Sequence, residues 1–380
     1  MTTKIEWADE TVNAMVGCSH ISPACDHCYA ARMALRHGGN PSLPWYKGLA
    51  VMTPQGPRWT GEGRWIDHVL PKAALRLYSV RKPLRIFHGS MTDIAHESAT
   101  VQHLANVLAF ADALPQHTHM LLTKRPHLLK ERLEALQGPG FQDLWDAARR
   151  PLYDAFRSAS RTVSKYNRSS RKEMDLLQKA ECIGVMGAYT KFPLPNVWLG
   201  ATIWDQPSAD RAVPILLSTP AAKRFVSIEP MLGPVDLCHV CDPSWREDAP
   251  TGGGPWDNTV NGLRGTINDS QFGHYYNKLD WVICGGETGP GARPMHPDWP
   301  RSLRDQCQDA GVPFFFKQWG EYGERNVPGN HEVYCYARRN FIANEPIGHE
   351  WNPDGKFMAK CGKAKAGRLL DGRTWEEVPA

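Results

Sequence analysis

The stretch "LRIFHGSMTDIAHESATVQHLANVLAFADALPQHTHMLLTK", residues 84–124, holds one full alternation of elements. It opens on the apolar run "LRIFHGS" (84–90), crosses a helix-like segment at 100–113 and returns as "THMLLTK" (118–124). A run this continuously apolar reads as a strand buried on both faces. Such a strand, joined to the next through a helix, belongs to a parallel sheet. The pattern recurs outward from here: "NVWLGAT" (196–202), "RFVSIEP" (224–230), "LDWVICGGE" (279–287) and "VPFFFKQW" (312–319) are further strands. Helix-like segments lie at 126–137, 208–218 and 299–310, and the last ends on a C-capping Gly311 with Pro313 just beyond. With "TVNAMVGC" (11–18) as the first strand, about six or seven βα units result. That is an α/β protein with a full or partial (β/α) barrel. A doubly wound open sheet is the competing architecture.

Two segments interrupt the rhythm. Residues 138–191 read as helical, and from Arg149 to Lys191 ten Lys/Arg face four Asp/Glu. That surplus of six exceeds the net charge of +4 for the whole chain, so the insertion is its one strongly basic element. Residues 238–278, rich in Gly, Asn and Asp, read as a long loop. The expected organisation is a barrel over 1–320 carrying both insertions, followed by an irregular C-terminal extension, 321–380.

Hydrophobic content of 42% and charged content of 22% over 380 residues indicate a globular chain. No apolar run approaches the roughly 20 residues that span a bilayer. The start, "MTTKIEWADE", is polar and acidic, unlike a signal peptide. A cytoplasmic location without membrane partners is expected, where the ten cysteines stay reduced.

Cys18, Cys25 and Cys28 fall within eleven residues, and the next cysteine is Cys182. Three thiolates on one loop suit three irons of a [4Fe–4S] cube, with the fourth iron left open. A zinc site completed by His20, His27 or a distant residue is the alternative on spacing alone. Cys238 and Cys241 form "CHVC" without a matching second pair, and Cys284, Cys307, Cys335 and Cys361 are isolated; all six read as structural thiols.

The segment "NAMVGCSHISPACDHCYAAR" (13–32) resembles the Cys-rich signature of radical SAM enzymes related to spore photoproduct lyase. The usual spacing there is three residues between the first two cysteines. Six stand here, similar to a phage- and bacteria-associated three-Cys-motif family. "HGSMTDIAHE", "LLTKRP", "NVWLGATI", "RFVSIEPMLGPVDL", "DWVICGGETGPGARPMHPDW" and "GVPFFFKQWGE" carry the resemblance along the chain. It implies a [4Fe–4S] cluster on Cys18, Cys25 and Cys28 that binds S-adenosylmethionine (SAM), cleaves it and yields a 5′-deoxyadenosyl radical. Ser90, Lys124 and Thr202 match positions that hold SAM in the photoproduct-lyase branch. Tyr29 and Asp93 join them as expected cofactor contacts. The "GGE" at Gly285–Glu287 lies too late in the chain to take the role of the similar motif near the second strand of many such enzymes.

Glu229, Glu287 and Lys317 stand at strand ends and are the expected catalytic residues. Pairing of the two glutamates with Arg224, Arg293 or Lys317 is the structural alternative. Trp198, Trp281 and Trp319 are expected in the core. The basic insertion places Arg157, Arg161, Lys165, Arg168, Arg171 and Lys172 among Tyr153, Phe156 and Tyr166, a composition suited to phosphate contacts and base stacking. Together with the resemblance it points to a nucleobase of DNA, a hypermodified thymine in phage DNA being the most concrete case. The base would be flipped out or single-stranded. A flavodoxin or ferredoxin would supply electrons, in the host cytoplasm if the chain is phage-encoded. Two alternatives stand: a radical SAM enzyme acting on a small molecule, peptide or RNA, and a zinc-stabilised nucleic-acid-binding protein without catalysis.

Overall fold

All seven apolar runs become strands in the computed structural model of the chain, which describes residues 3–166, 171–184, 192–241, 259–267, 277–326 and 356–380. They are β1 (Glu10–Val12), β2 (Arg85–His88), β3 (Thr118–Thr123), β4 (Val197–Ile203), β5 (Lys223–Ile228), β6 (Trp281–Gly285) and β7 (Phe314–Gln318). They form one parallel sheet in sequential order, β1 to β7. No reversal of order occurs, which sets the doubly wound alternative aside. β1 and β7 are both edges, so the sheet is a partial (β/α) barrel.

The first expected strand, 11–18, breaks in two. Only Glu10–Val12 enters the sheet, while Met15–Val16 pairs antiparallel with Arg64–Trp65. Asn13 makes the break. Its side-chain carbonyl accepts from the Met91 amide at 3.1 Å, and its amide exchanges hydrogen bonds with the Ser90 hydroxyl. Gly17 then adopts φ +95°, where a Cβ would lie 2.1 Å from the Glu62 carbonyl oxygen. Only glycine launches the cysteine loop from that point.

The chain divides into two compact units: residues 1–20, 30–200 and 219–223, and residues 21–29, 201–218 and 224–380. In the first, α3 (Val101–Ala113) starts on a capping box in which Thr100 and His103 satisfy each other's backbone amides. The insertion forms α5 (Phe141–Tyr166) and α6 (Arg171–Gly184). Trp145, Ala148, Leu152 and Phe156 make a buried stripe at helical spacing on α5. Phe156 meets Tyr78 of α2 (Val69–Tyr78) edge to face at 5.3 Å, so it is core and not a stacking platform. Arg157 and Arg161 point to solvent, and Arg157 donates to the Tyr153 hydroxyl at 2.6 Å. Arg168 and the side chains of Lys165, Tyr166, Arg171 and Lys172 lie outside the described residues.

In the second unit, α7 (Gln206–Ser218) and α8 (Asp298–Ala310) flank β5, β6 and β7 in sequence, and α8 closes on Gly311 at φ +65° as its sequence requires. Trp281 and Trp319 are buried in this unit, and Trp198 is buried in the first. The excursion after residue 238 includes a small antiparallel sheet of Val240–Cys241, Thr259–Asn261 and Thr266–Ile267. The extension is built in at both of its described ends. Lys356–Lys360 pairs with Tyr322–Asn326. Residues 375–377 run antiparallel along β7, with the Phe316 amide donating to the Trp375 carbonyl at 2.9 Å and a bridge between Phe315 and Glu376. The open edge of β7 is thereby covered. Among the described residues, no helix is long and apolar enough to cross a membrane.

Behind the first-unit strands sit two fully buried imidazoles. His88 Nε2 and His119 Nδ1 share one hydrogen bond at 3.0 Å, and both rings meet Phe110 of α3 edge to face. Burial pushes His88 down to about 3, and burial with the neighbouring His88 holds His119 well below 6.5. Both are neutral in the folded state at pH 7. As pH falls below 6.5 the unfolded chain takes up protons that the folded chain refuses, and stability declines. Each histidine costs about 1.4 kcal/mol per pH unit in that window, until its folded pKa is reached. Denaturant titrations at pH 7 and pH 5 are expected to show this loss, and the double replacement His88→Leu, His119→Leu should flatten it. An unchanged slope in the double variant would remove the pair as its cause.

Candidate functional site

In the first unit, the ends of β2 and β3 are knit together by one carboxylate. Asp93 is buried, and its two oxygens accept the Ala95 amide (2.9 Å), the Thr123 hydroxyl (2.5 Å), the Lys124 amide (2.9 Å) and Arg125 Nη1 (2.9 Å). A carboxylate offers about four lone-pair sites, and protein donors take them all. Asp93 therefore organises the loop after β3 rather than presenting a free oxygen. Arg125, also buried, spends its other donors on Glu97 (2.7 Å) and on the Ser19 hydroxyl beside Cys18 (2.6 Å). Burial works against the Glu97 charge, but the Arg125 hydrogen bond, a backbone hydrogen bond and the charges of Arg125 and His96 together outweigh it and bring the Glu97 carboxyl down to about 2. Ser90 is occupied by Asn13. Lys124 is half-buried at the end of β3, and among the described residues its ammonium makes no hydrogen bond or ion pair.

In the second unit, Glu229 after β5 and Lys317 of β7 form an ion pair at 2.8 Å, and Ser227 donates to the second Glu229 oxygen at 3.0 Å. The pair spans β6 over Gly285, where a Cβ would come within 3.1 Å of Glu229 Oε1 and 3.3 Å of Lys317 Cβ. At Gly286 a Cβ would lie 2.0 Å from the Trp319 carbonyl oxygen. The two glycines are thus demanded by protein neighbours. Glu287 is buried and bound by Arg293 through Nε (2.8 Å), Nη2 (2.7 Å) and the backbone amide (2.8 Å). Arg224, the other considered partner, instead bonds the Leu216 carbonyl and, through its amide, Asp280. Thr202 is buried near the end of β4. Tyr29 is 47% exposed as a residue, yet its hydroxyl is shielded; burial, then Cys28 and Glu229, raise its pKa, so it is a phenol at neutral pH.

Cys18, Cys25 and Cys28 are half-exposed thiols outside any disulfide; the first belongs to the first unit and the other two to the second. Cys25 ends a short 3₁₀ turn, Pro23–Cys25, with its sulfur 3.3 Å from the Ser22 hydroxyl, and Cys28 directly precedes α1 (Tyr29–His37). Soft thiolates in this number suit iron–sulfur or zinc. Among the described residues, no group of three or more His, Cys, Asp or Glu side chains is gathered to hold a metal ion. The fit therefore lies in the kind and spacing of the donors. The roles of Arg125 and Asn13 escaped the sequence reading. Arg125 follows Lys124 and looks like a second solvated charge until Asp93 is seen beside it.

The chain matches, over residues 2–379, the family described as "Protein of unknown function (DUF5131)". No curated protein matches it. Among solved structures it is similar to a cysteine-to-serine mutant of spore photoproduct lyase, at 12% identity and a TM-score of 0.26, over 60% of this chain. The match spans 59% of that protein's chain.

Replacing Arg125 by Met strands the Asp93 charge in a dry site and should cost about 3–5 kcal/mol of stability. Lys124→Met, which removes an ammonium without a partner among the described residues, should cost well under about 1 kcal/mol. Urea titration of both variants checks the ordering, and equal losses would refute it.

Proposed function

We propose that this chain, which belongs to the DUF5131 family, is a radical SAM enzyme acting on a nucleobase of DNA. The observation that carries the reading is the anchorage of the cysteine loop. Ser19, beside Cys18, is tied to an arginine rooted on Asp93, and residues 23 and 26, around Cys25, are tied to an arginine rooted on Glu287. Both carboxylates follow the C-terminal ends of parallel strands, where β/α barrels build their active sites.

Cys18, Cys25 and Cys28 would hold a [4Fe–4S] cluster. When bound, that cluster supplies the electron that cleaves the sulfonium of SAM. The Lys124 ammonium, which makes no hydrogen bond or ion pair among the described residues, would meet the carboxylate of SAM, and the hydroxyls of Thr202, Ser90 and Tyr29 would line its polar groups. Asp93 fixes the Lys124 backbone. The Glu229–Lys317 ion pair would serve proton transfer at the substrate, while Glu287 keeps Arg293 in place. Arg157 and Arg161, with Lys165, Arg168, Arg171 and Lys172, follow the phosphates, and Tyr153 offers a ring to a base. The target base is flipped out, a hypermodified thymine in phage DNA being the chosen case. A flavodoxin or ferredoxin delivers the electron, and the reaction takes place in the cytoplasm, that of the host if the chain is phage-encoded.

Anaerobic purification with iron, sulfide and zinc analysis tests the cluster. About four irons per chain and absorbance near 400 nm are expected, with both lost in Cys25→Ala. One zinc and no iron would end the radical reading and favour the zinc-stabilised binding protein. DNA tests the substrate. SAM cleavage to 5′-deoxyadenosine under reductant should rise when DNA is added. Arg157→Glu with Arg161→Glu should weaken DNA binding and flatten its dependence on salt. Equal cleavage with and without every DNA tried would move the substrate to a small molecule, peptide or RNA.

A further inference from the structure

The segment from Glu287 to Arg293, directly after β6, touches the cysteine loop at three places within the second unit. Arg293 Nη2 donates to the Pro23 carbonyl at 2.8 Å, and Nη1 pairs with Asp26 at 3.3 Å. Gly291, at φ +80°, lies against the His27 ring, where a Cβ would come within 2.6 Å of Cε1. These contacts fall on residues 23, 26 and 27, interleaved with Cys25 and Cys28. The other side of the guanidinium is fixed by Glu287 through its two-pronged fork. A fork of that kind sets the plane of the group, and a point charge would not. Glu287 follows a fully buried strand. The loop is thus referred, through one side chain, to the buried end of β6.

We infer that Arg293, seated on Glu287, is a positioning residue that sets Cys25 and Cys28 for metal ligation, with Gly291 as the bare face on which His27 packs. The inference rests on the proposed function only in taking those two cysteines as ligands. Metal sites depend on such outer partners to hold their ligands in place.

Hydrogen exchange on the full, reduced, chelator-treated chain and iron content of the anaerobically purified chain test it together. In Arg293→Gln the amides of residues 22–28 should exchange about tenfold faster or more, since two charge-assisted hydrogen bonds to the loop are lost. Those of β5 and β6 should not change, and iron per chain should fall below about half, ligand-holding partners being worth at least tenfold in metal affinity. Arg293→Lys keeps the charge but loses the fork and should behave like Arg293→Gln. Arg301→Gln breaks an ion-pair cluster with Glu324 and Asp371 in the same unit and should alter neither readout. If Arg293→Gln does not fold, Asp26→Ala leaves the fork intact and should give a smaller rise at the same amides. Unchanged loop exchange, equal acceleration in β6, or undiminished iron in Arg293→Gln would each overturn the proposal. A wild-type chain without iron would end the radical reading, while the exchange rates would still decide the clamp.

Discussion

A carboxylate closed off from water at the end of a strand must be answered by a full positive charge, and for Asp93 and Glu287 that answer is an arginine. Asp93 and Arg125 are both buried in the first unit, and Glu287 is buried against Arg293 in the second. Burying either carboxylate without a partner would be costly. Arginine suits the task because its five donors allow it to satisfy the acid and still reach further. Arg125 goes on to Glu97 and Ser19, and Arg293 to Asp26 and Pro23. The charge demanded by burial thus also decides where the neighbouring loop lies.

The strands were legible because burial on both faces leaves short apolar runs, each bounded by polar or glycine-rich residues. Val197–Ile203 is buried at every position and reads as a strand without help from its neighbours. The break after Val12 was not legible. It depends on Asn13 meeting Ser90 and Met91, residues more than seventy positions away. Phe156 shows the same limit from another side. Its place among arginines suggested an exposed ring, but the stripe it shares with Trp145 and Leu152 at helical spacing turns it inward.

At the site, residue types were legible and their partners were not. Glu229, Glu287 and Lys317 drew notice because charges are costly at strand ends. The sequence offered three candidate partners for the glutamates, and geometry selected Lys317 for one and Arg293 for the other. Gly285 and Gly286 could be read as room for a ligand. The structure gives a steric reason instead: an ion pair crosses over one, and the Trp319 backbone presses on the other. Such crowding comes from strand β7, some thirty residues later, and leaves no local trace.

The strip at residues 375–377 has a consequence for the birth of the protein. β7 is the last strand of the sheet to be synthesised, and its outer hydrogen-bonding groups find partners only when this strip arrives. Between those two moments the β7 side of the nascent sheet is open, a template for joining other chains. A ribosome that stalls after Gln318 would release a product able to recruit its siblings. That side of β7 is sealed only by residues made more than fifty positions after it.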